Sequence, residues 1–237
     1  MTDIASLKSG KTERDENFPV ASLLIAAQFR RPILGFYRFA RAADDVADHP
    51  RLGQHEKFAA LDLLEATLVG RTDAAADALP LRAALADMGL APRHALDLLT
   101  AFRIDVSKQR YRDWGELLNY CSYSAMPVGR FVLDVHGERQ STWPASDALC
   151  TALQIINHLQ DCGKDFRALD RVYVPLDALA AYGIGVEELA MNKASPRLRA
   201  CLRSLTAKVG EIMADATKLP HQVTSLRLAA ETAVIVG

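Results

Sequence analysis

The segment from Gln154 to Asp165 reads QIINHLQDCGKD and sets Gln154, Asn157, Asp161 and Asp165 three or four residues apart. Such steps keep side chains on one face of an α-helix. The segment has no proline and its single glycine lies near the end, so a helix is expected. Leu153, Ile155, Ile156 and Leu159 are available to pack around the polar row. A solvated face would mix Lys and Glu freely. Here a carboxamide and two carboxylates stand a turn apart beside apolar neighbours. Carboxylates so placed need a cation, and an all-oxygen set suits a hard one such as Mg²⁺. Taken alone, the row also fits a surface stripe of unrelated acids.

A second row changes that balance. In YRFARAADDVAD, residues 37–48, Asp44 and Asp48 are one turn apart, Tyr37 and Arg41 extend the row towards the N-terminus, and Asp45 lies at its edge. Two helices that each carry such acids can face each other across a cavity and hold several divalent ions. Those ions can grip a diphosphate, with Arg41 as a further donor. Either row alone is a weak signal; the pair with its flanks is a specific one.

Helices must position these rows, and the composition favours them. The chain has 237 residues, half of them hydrophobic, with 13 Gly and 10 Pro. That is ample for a core and too little Gly and Pro for a loop-dominated fold. A formal charge of −1 gives no field that would draw the protein to nucleic acid or anionic lipid, and no basic, aromatic-interleaved run is present. Cys121, Cys150, Cys162 and Cys201 lie far apart without a CxxC pair, as in reduced, cytoplasmic proteins. Residues 1–17 are polar and no apolar run is long enough to span a bilayer.

In chain order, residues 1–15 read as a loose leader, followed by one all-helical domain over 16–237. Helices are expected over Pro19–Ala27 and over Pro32–Asp48, the second carrying the first acid row. Helices around Glu56–Leu68, Leu81–Met88 and His94–Val106 read as scaffold; Phe58, Leu61, Leu64 and Leu68 form the buried stripe of the first. His55 and His94 read as surface residues, since neither has a second ligand at metal spacing. Asp105–Trp114 reads as a polar break, with Asp113 capping the next helix and Glu116 closing a capping box. That helix should run from Trp114 to about His136 and kink at Pro127 and Gly129, opening space along a cavity-lining face with Tyr120, Ser124, Pro127 and Phe131. As a plain core aromatic, Tyr120 would need no further role. A long helix from Trp143 to Leu169 should hold the second row, with Arg171, Tyr173 and Pro175 in a non-helical exit. Ser195-Pro196 should open another helix reaching about Lys218. The chain then stops inside an apolar helical pattern, and a truncated C-terminus is expected.

These residues resemble the squalene/phytoene synthases. The likeness rests on the first acid row after Tyr37-x-x-x-Arg41, on Asn157-x-x-x-Asp161-x-x-x-Asp165, on Arg171-Val-Tyr173-Val-Pro175, and on Tyr120-Cys121 leading to Pro127-Val-Gly129. It covers roughly residues 16–230. The wording of Glu16–Ser22, Tyr123–Arg130 and Asn157–Cys162 is similar to one branch, the hydroxysqualene synthases of bacterial hopanoid biosynthesis. The resemblance implies a class I isoprenoid synthase bundle around a central cavity. It implies Mg²⁺ held by Asp44, Asp48, Asn157, Asp161 and Asp165, with Asp45 a weaker ligand. Tyr37, Arg41, Arg171 and Tyr173 would meet a diphosphate, Gln154 would support the second row, and Phe131 would line the apolar part. Tyr120 matches the position whose phenol lies near the reacting carbons. The catalytic set is then Asp44, Asp48, Asp161, Asp165 and Tyr120.

Two positions depart from the family pattern. The early basic segment reads Glu16-Asn17-Phe18, and Gln160 stands where an Arg is usual; Lys164, one turn on, restores part of the charge. Fewer cations favour a single presqualene diphosphate over two farnesyl diphosphates. The expected activity is ionisation of presqualene diphosphate and trapping by water, with peripheral membrane contact for a lipid product. The alternatives are a head-to-head synthase making presqualene diphosphate, squalene or phytoene, and an inactive helical relative acting in lipid binding or assembly.

Overall fold

A computed structural model describes residues 26–236. The expected helix at Pro19–Ala27, but for its last two residues, and the Glu16–Ser22 segment lie outside them. Among the described residues there is no strand, only an isolated parallel bridge between Arg110 and Val172.

The first helix, α1, spans Ala27–Ala47, with Asp48 as its C-cap. It begins five residues before the expected Pro32, which sits inside it. Proline here costs one hydrogen bond near the helix start. Packing outweighs that cost, since Phe29 reaches the ring of His136 at 4.2 Å. Helices α2 (Gln54–Leu68), α3 (Leu79–Met88) and α4 (Arg93–Ser107) follow. Leu61, Leu64 and Leu68 form the buried stripe of α2 while Phe58 is only half-buried. Each fully buried leucine contributes about 2 kcal/mol of transfer free energy.

The Trp114–His136 stretch is two helices, α5 (Trp114–Ser124) and α6 (Met126–Val135). The chain breaks at Ala125 because Pro127 has no N–H to return to the preceding turn. Asp113 caps α5 by accepting from the Glu116 backbone N–H at 2.9 Å. Glu116 does not close a box on Asp113; its carboxylate accepts from the Arg112 N–H. Helix α7 runs from Trp143 to Leu169 as expected, packed between α6 and α9 (Pro196–Ala216). Ser195 caps α9 by accepting from the Leu198 N–H. Short helices α8 (Leu176–Ala181), α10 (Leu219–Gln222) and α11 (Leu226–Val236) complete the order.

Two corrections concern α4. It continues through Asp105 to Ser107, so the polar break is shorter than expected. His94 is not a surface residue: it is 3% exposed, hydrogen-bonded to Asp134 at 2.9 Å and set edge-on to Trp143. Its partner is a carboxylate on another helix, which no sequence spacing reveals.

Helices α1, α4, α5, α6 and α7 enclose a cavity of about 420 Å³. Gly129 lets α6 approach α7; a Cβ there would lie 2.3 Å from Ser146 Oγ and 2.6 Å from Cys150 Sγ. The exit segment after α7 is pinned to the α4–α5 loop by Val172 N–H to Gln109 O and Leu176 N–H to Tyr111 O, both 2.9 Å. Asp170 starts the exit in the left-handed region, φ 51°, and its carboxylate pairs with Arg110. This pinning turns Arg171 and Tyr173 inward.

Candidate active site

One end of the cavity is acidic. Asp44 and Asp48 reach it from α1, and Asn157 and Asp165 reach it from α7. The two rows therefore face one space, near enough that the charge of Asp48 acts on Asp165. Burial first, and the neighbouring Asp161 second, push the Asp165 carboxyl up to about 6. Tyr37 and Arg41 line the same end. Arg41 donates to Asp44 Oδ2 at 2.8 Å and to Asp45 Oδ1 at 2.9 Å. Arg171 pairs with Asp48 Oδ1 at 3.0 Å.

Three expected site residues stand apart from this wall. The carboxylate of Asp45 is buried and holds Arg41, so it acts behind the cavity surface. Asp161 has a half-exposed side chain paired with the exposed Lys164 at 3.5 Å, and neither lines the cavity. Three-residue spacing on a solvent-facing turn lets the two neutralise each other.

The other end is apolar. Ile33, Phe36, Leu98, Phe102, Val128 and Phe131 form its wall, and Phe36 stacks on Phe131 with ring centroids 4.1 Å apart. Pro127, expected in the lining, is absent from it; its effect is the α5–α6 break, which leaves Ser124, Ala125 and Val128 on the cavity.

Between the two ends lies a buried polar cluster that the sequence alone did not reveal. Asp105 is 6% exposed and accepts from Tyr120 Oη at 2.8 Å and from Tyr173 Oη at 2.9 Å. Arg171 donates to the Asp105 backbone oxygen at 3.3 Å and to Tyr173 Oη at 3.4 Å. Burial dominates here and pushes the Asp105 carboxyl up to about 6 against the opposing charge of Arg171. Burial and the Asp105 charge likewise raise the Tyr120 and Tyr173 phenols far above their ordinary range, so both stay protonated as donors. His158 lies flat on Tyr173, centroids 3.6 Å apart and planes 16° apart. Asp105 was hidden by reading its segment as a loop. The steps Leu98, Ala101, Phe102, Asp105 put it on the cavity face of α4 and would have exposed it.

A helical bundle with acid rows facing across the polar mouth of an apolar cavity has the layout of an isoprenoid synthase. The squalene/phytoene synthase family model matches residues 11–237, and the chain belongs to that family. It is 56% identical over 235 residues to a hydroxysqualene synthase of Rhodopseudomonas palustris, covering 99% of this chain and 80% of that one. A hydroxysqualene synthase of Sinorhizobium fredii is likewise 56% identical, over all of this chain and 81% of its own length. Among solved structures, the squalene synthase HpnC from Alicyclobacillus acidocaldarius superposes with a TM-score of 0.82 at 31% identity, covering 98% of this chain and 87% of that one.

Proposed function

We propose that this chain is a hydroxysqualene synthase that ionises presqualene diphosphate and lets water trap the carbocation, giving hydroxysqualene and diphosphate. The observation that carries the reading is a cavity acidic at one end and apolar at the other, in a chain so similar to relatives of that name.

The residues fit Mg²⁺ held together with a diphosphate. Asp44, Asp48, Asn157 and Asp165 offer oxygen donors to one space, and a cation there would favour the carboxylate of Asp165 against the burial and the Asp161 charge that raise it. Among the described residues no three His, Cys, Asp or Glu side chains converge on an ion. Mg²⁺ can bind through one or two carboxylates and complete its shell with water and substrate phosphate. When bound, Mg²⁺ offsets the negative charge that builds on the departing diphosphate. Asp161 and Lys164, half-exposed or more and paired with each other, stand outside the cavity lining.

The protein's own groups do the rest. Arg41 and Arg171 present cationic donors, each oriented by a carboxylate, with Tyr37 beside them. Asp45 steadies Arg41 from behind. Tyr120, held by Asp105, sets a phenol oxygen at the boundary between polar and apolar walls, where it can stabilise cationic carbon. The apolar wall with Phe131 excludes bulk water from the cation. The product is a lipid, and no described helix is long and apolar enough to cross a membrane. We place the protein in the cytoplasm with peripheral membrane contact for product release; its four cysteines are all free, in keeping with a reducing compartment.

The test is to give purified protein and Mg²⁺ either presqualene diphosphate or farnesyl diphosphate, with and without NADPH, and to identify the neutral lipid. Hydroxysqualene from presqualene diphosphate without NADPH is the expected result. Efficient use of farnesyl diphosphate alone, or squalene that depends on NADPH, would overturn it in favour of a head-to-head synthase.

A further inference from the structure

The wall between the acid rows and the apolar end holds Gln154, which the resemblance sets in support of the second row, and His158, to which the reaction above gives no role. Gln154 and His158 stand one turn apart on α7, and both line the cavity. Gln154 Nε2 lies 3.1 Å from His158 Nε2. Two nitrogens share a hydrogen bond only if one is an unprotonated acceptor, so the amide donates and the imidazole accepts. The imidazole suits this role: it is buried and stacks face to face on Tyr173.

The pairing fixes which end of the carboxamide faces where. With its nitrogen committed to His158, Gln154 has its oxygen left as an acceptor. The bond to His158 is the one hydrogen bond its side chain makes among the described residues. The neighbouring phenols are otherwise engaged, since Tyr120 and Tyr173 both donate to Asp105. A water entering this stretch of wall therefore finds a fixed acceptor in Gln154 Oε1.

We propose that Gln154 holds the water that traps the carbocation and that His158 is the positioning residue that sets its carboxamide, an inference that rests on the hydroxysqualene reading. The water donates one O–H to Gln154 Oε1 and keeps a lone pair turned towards the cavity. That pair forms the C–O bond to the cationic carbon. One O–H bond of the water breaks, and its proton passes to the diphosphate released in the same cavity. No oxidant or reductant takes part, and the product is an alcohol.

The experiment uses His158→Phe, which keeps a flat ring over Tyr173 without the acceptor nitrogen, and Gln154→Met, which keeps the length without the amide. Each variant receives presqualene diphosphate and Mg²⁺ without NADPH. Two quantities are followed: diphosphate release, and the ratio of hydroxysqualene to hydrocarbons formed by proton loss. In both variants the alcohol-to-hydrocarbon ratio should fall by about tenfold or more, because an unheld water loses its orientation. A ratio that stays at the parent value in either folded variant would overturn the proposal, whatever happens to the rate. Loss of fold in both variants, read by circular dichroism, would also overturn it, since the pair would then be structural. A parent protein that releases diphosphate without forming the alcohol refutes the hydroxysqualene reading itself, an outcome distinct from these.

Discussion

Asp105 sits where two phenols and a guanidinium converge, and its chemistry follows from that crowding. Its carboxyl titrates near 6 in the fold against an ordinary 3.8, so the folded state binds the proton more tightly than the unfolded chain does. The stability it contributes is present below the unfolded value and is lost as pH rises through the folded one. Asp105→Asn cannot titrate. The melting temperature of the parent relative to this variant should therefore be higher at about pH 4.5 than at about pH 7.5, and a difference that is flat or rises with pH would contradict the assignment. Asp105→Asn should also lower kcat, because Asn can accept from only one of the two phenols. For the acid rows, Asp44→Asn and Asp165→Asn remove charge but not volume. Each should cut turnover by about 100-fold or more while leaving the circular dichroism spectrum unchanged, and EDTA should act on the parent in the same way. Full activity in EDTA would mean that the rows serve another purpose.

At the scale of elements, the α5–α6 break and the α6–α7 crossing shape the apolar wall. Gly129 has an ordinary helical setting but no room for a side chain, with Ser146 and Cys150 against its Cα. Gly129→Ala should therefore destabilise the protein despite its gain in helix propensity, by about 1–3 kcal/mol for an overpacked contact. It should also push α6 away from α7 beside the cavity. Chemical denaturation of the variant checks the first effect; an unchanged or raised midpoint would show that Ser146 and Cys150 can give way. The exit segment is the other such element. Arg171 and Tyr173 follow a left-handed residue in a segment tied by backbone bonds to the α4–α5 loop, so their reach into the site depends on a loop distant in sequence.

For the whole molecule, binding and folding are linked, because the acid rows belong to helices far apart in the chain that meet only in the folded state. A ligand that bridges them stabilises that state by mass action, about 2.7 kcal/mol at 100 times Kd. Mg²⁺ together with a non-hydrolysable bisphosphonate should raise the melting temperature by several degrees, and by much more than either alone. Equal shifts from the bisphosphonate with and without Mg²⁺ would argue that the arginines, and not the acid rows, carry the binding. The same logic makes Asp44→Asn remove most of the joint shift.

The sequence by itself determined the helices that matter and the faces they present. Three- and four-residue spacing fixes which side chains share a helix face, so Asp44 with Asp48, and Asn157 with Asp165, were legible before any tertiary contact. Helix α7 and the Ser195 cap of α9 were equally so, because their start and stop signals are local. Tertiary structure decided what periodicity cannot express. It buried His94 against Asp134 and kept Asp161 and Lys164 off the cavity wall. It also brought Asp105, Tyr120, Tyr173 and His158 together from α4, α5, the exit segment and α7. A side chain's partner on a distant segment depends on helix crossings, and these are set by packing at positions such as Gly129 rather than by the order of residues along one helix.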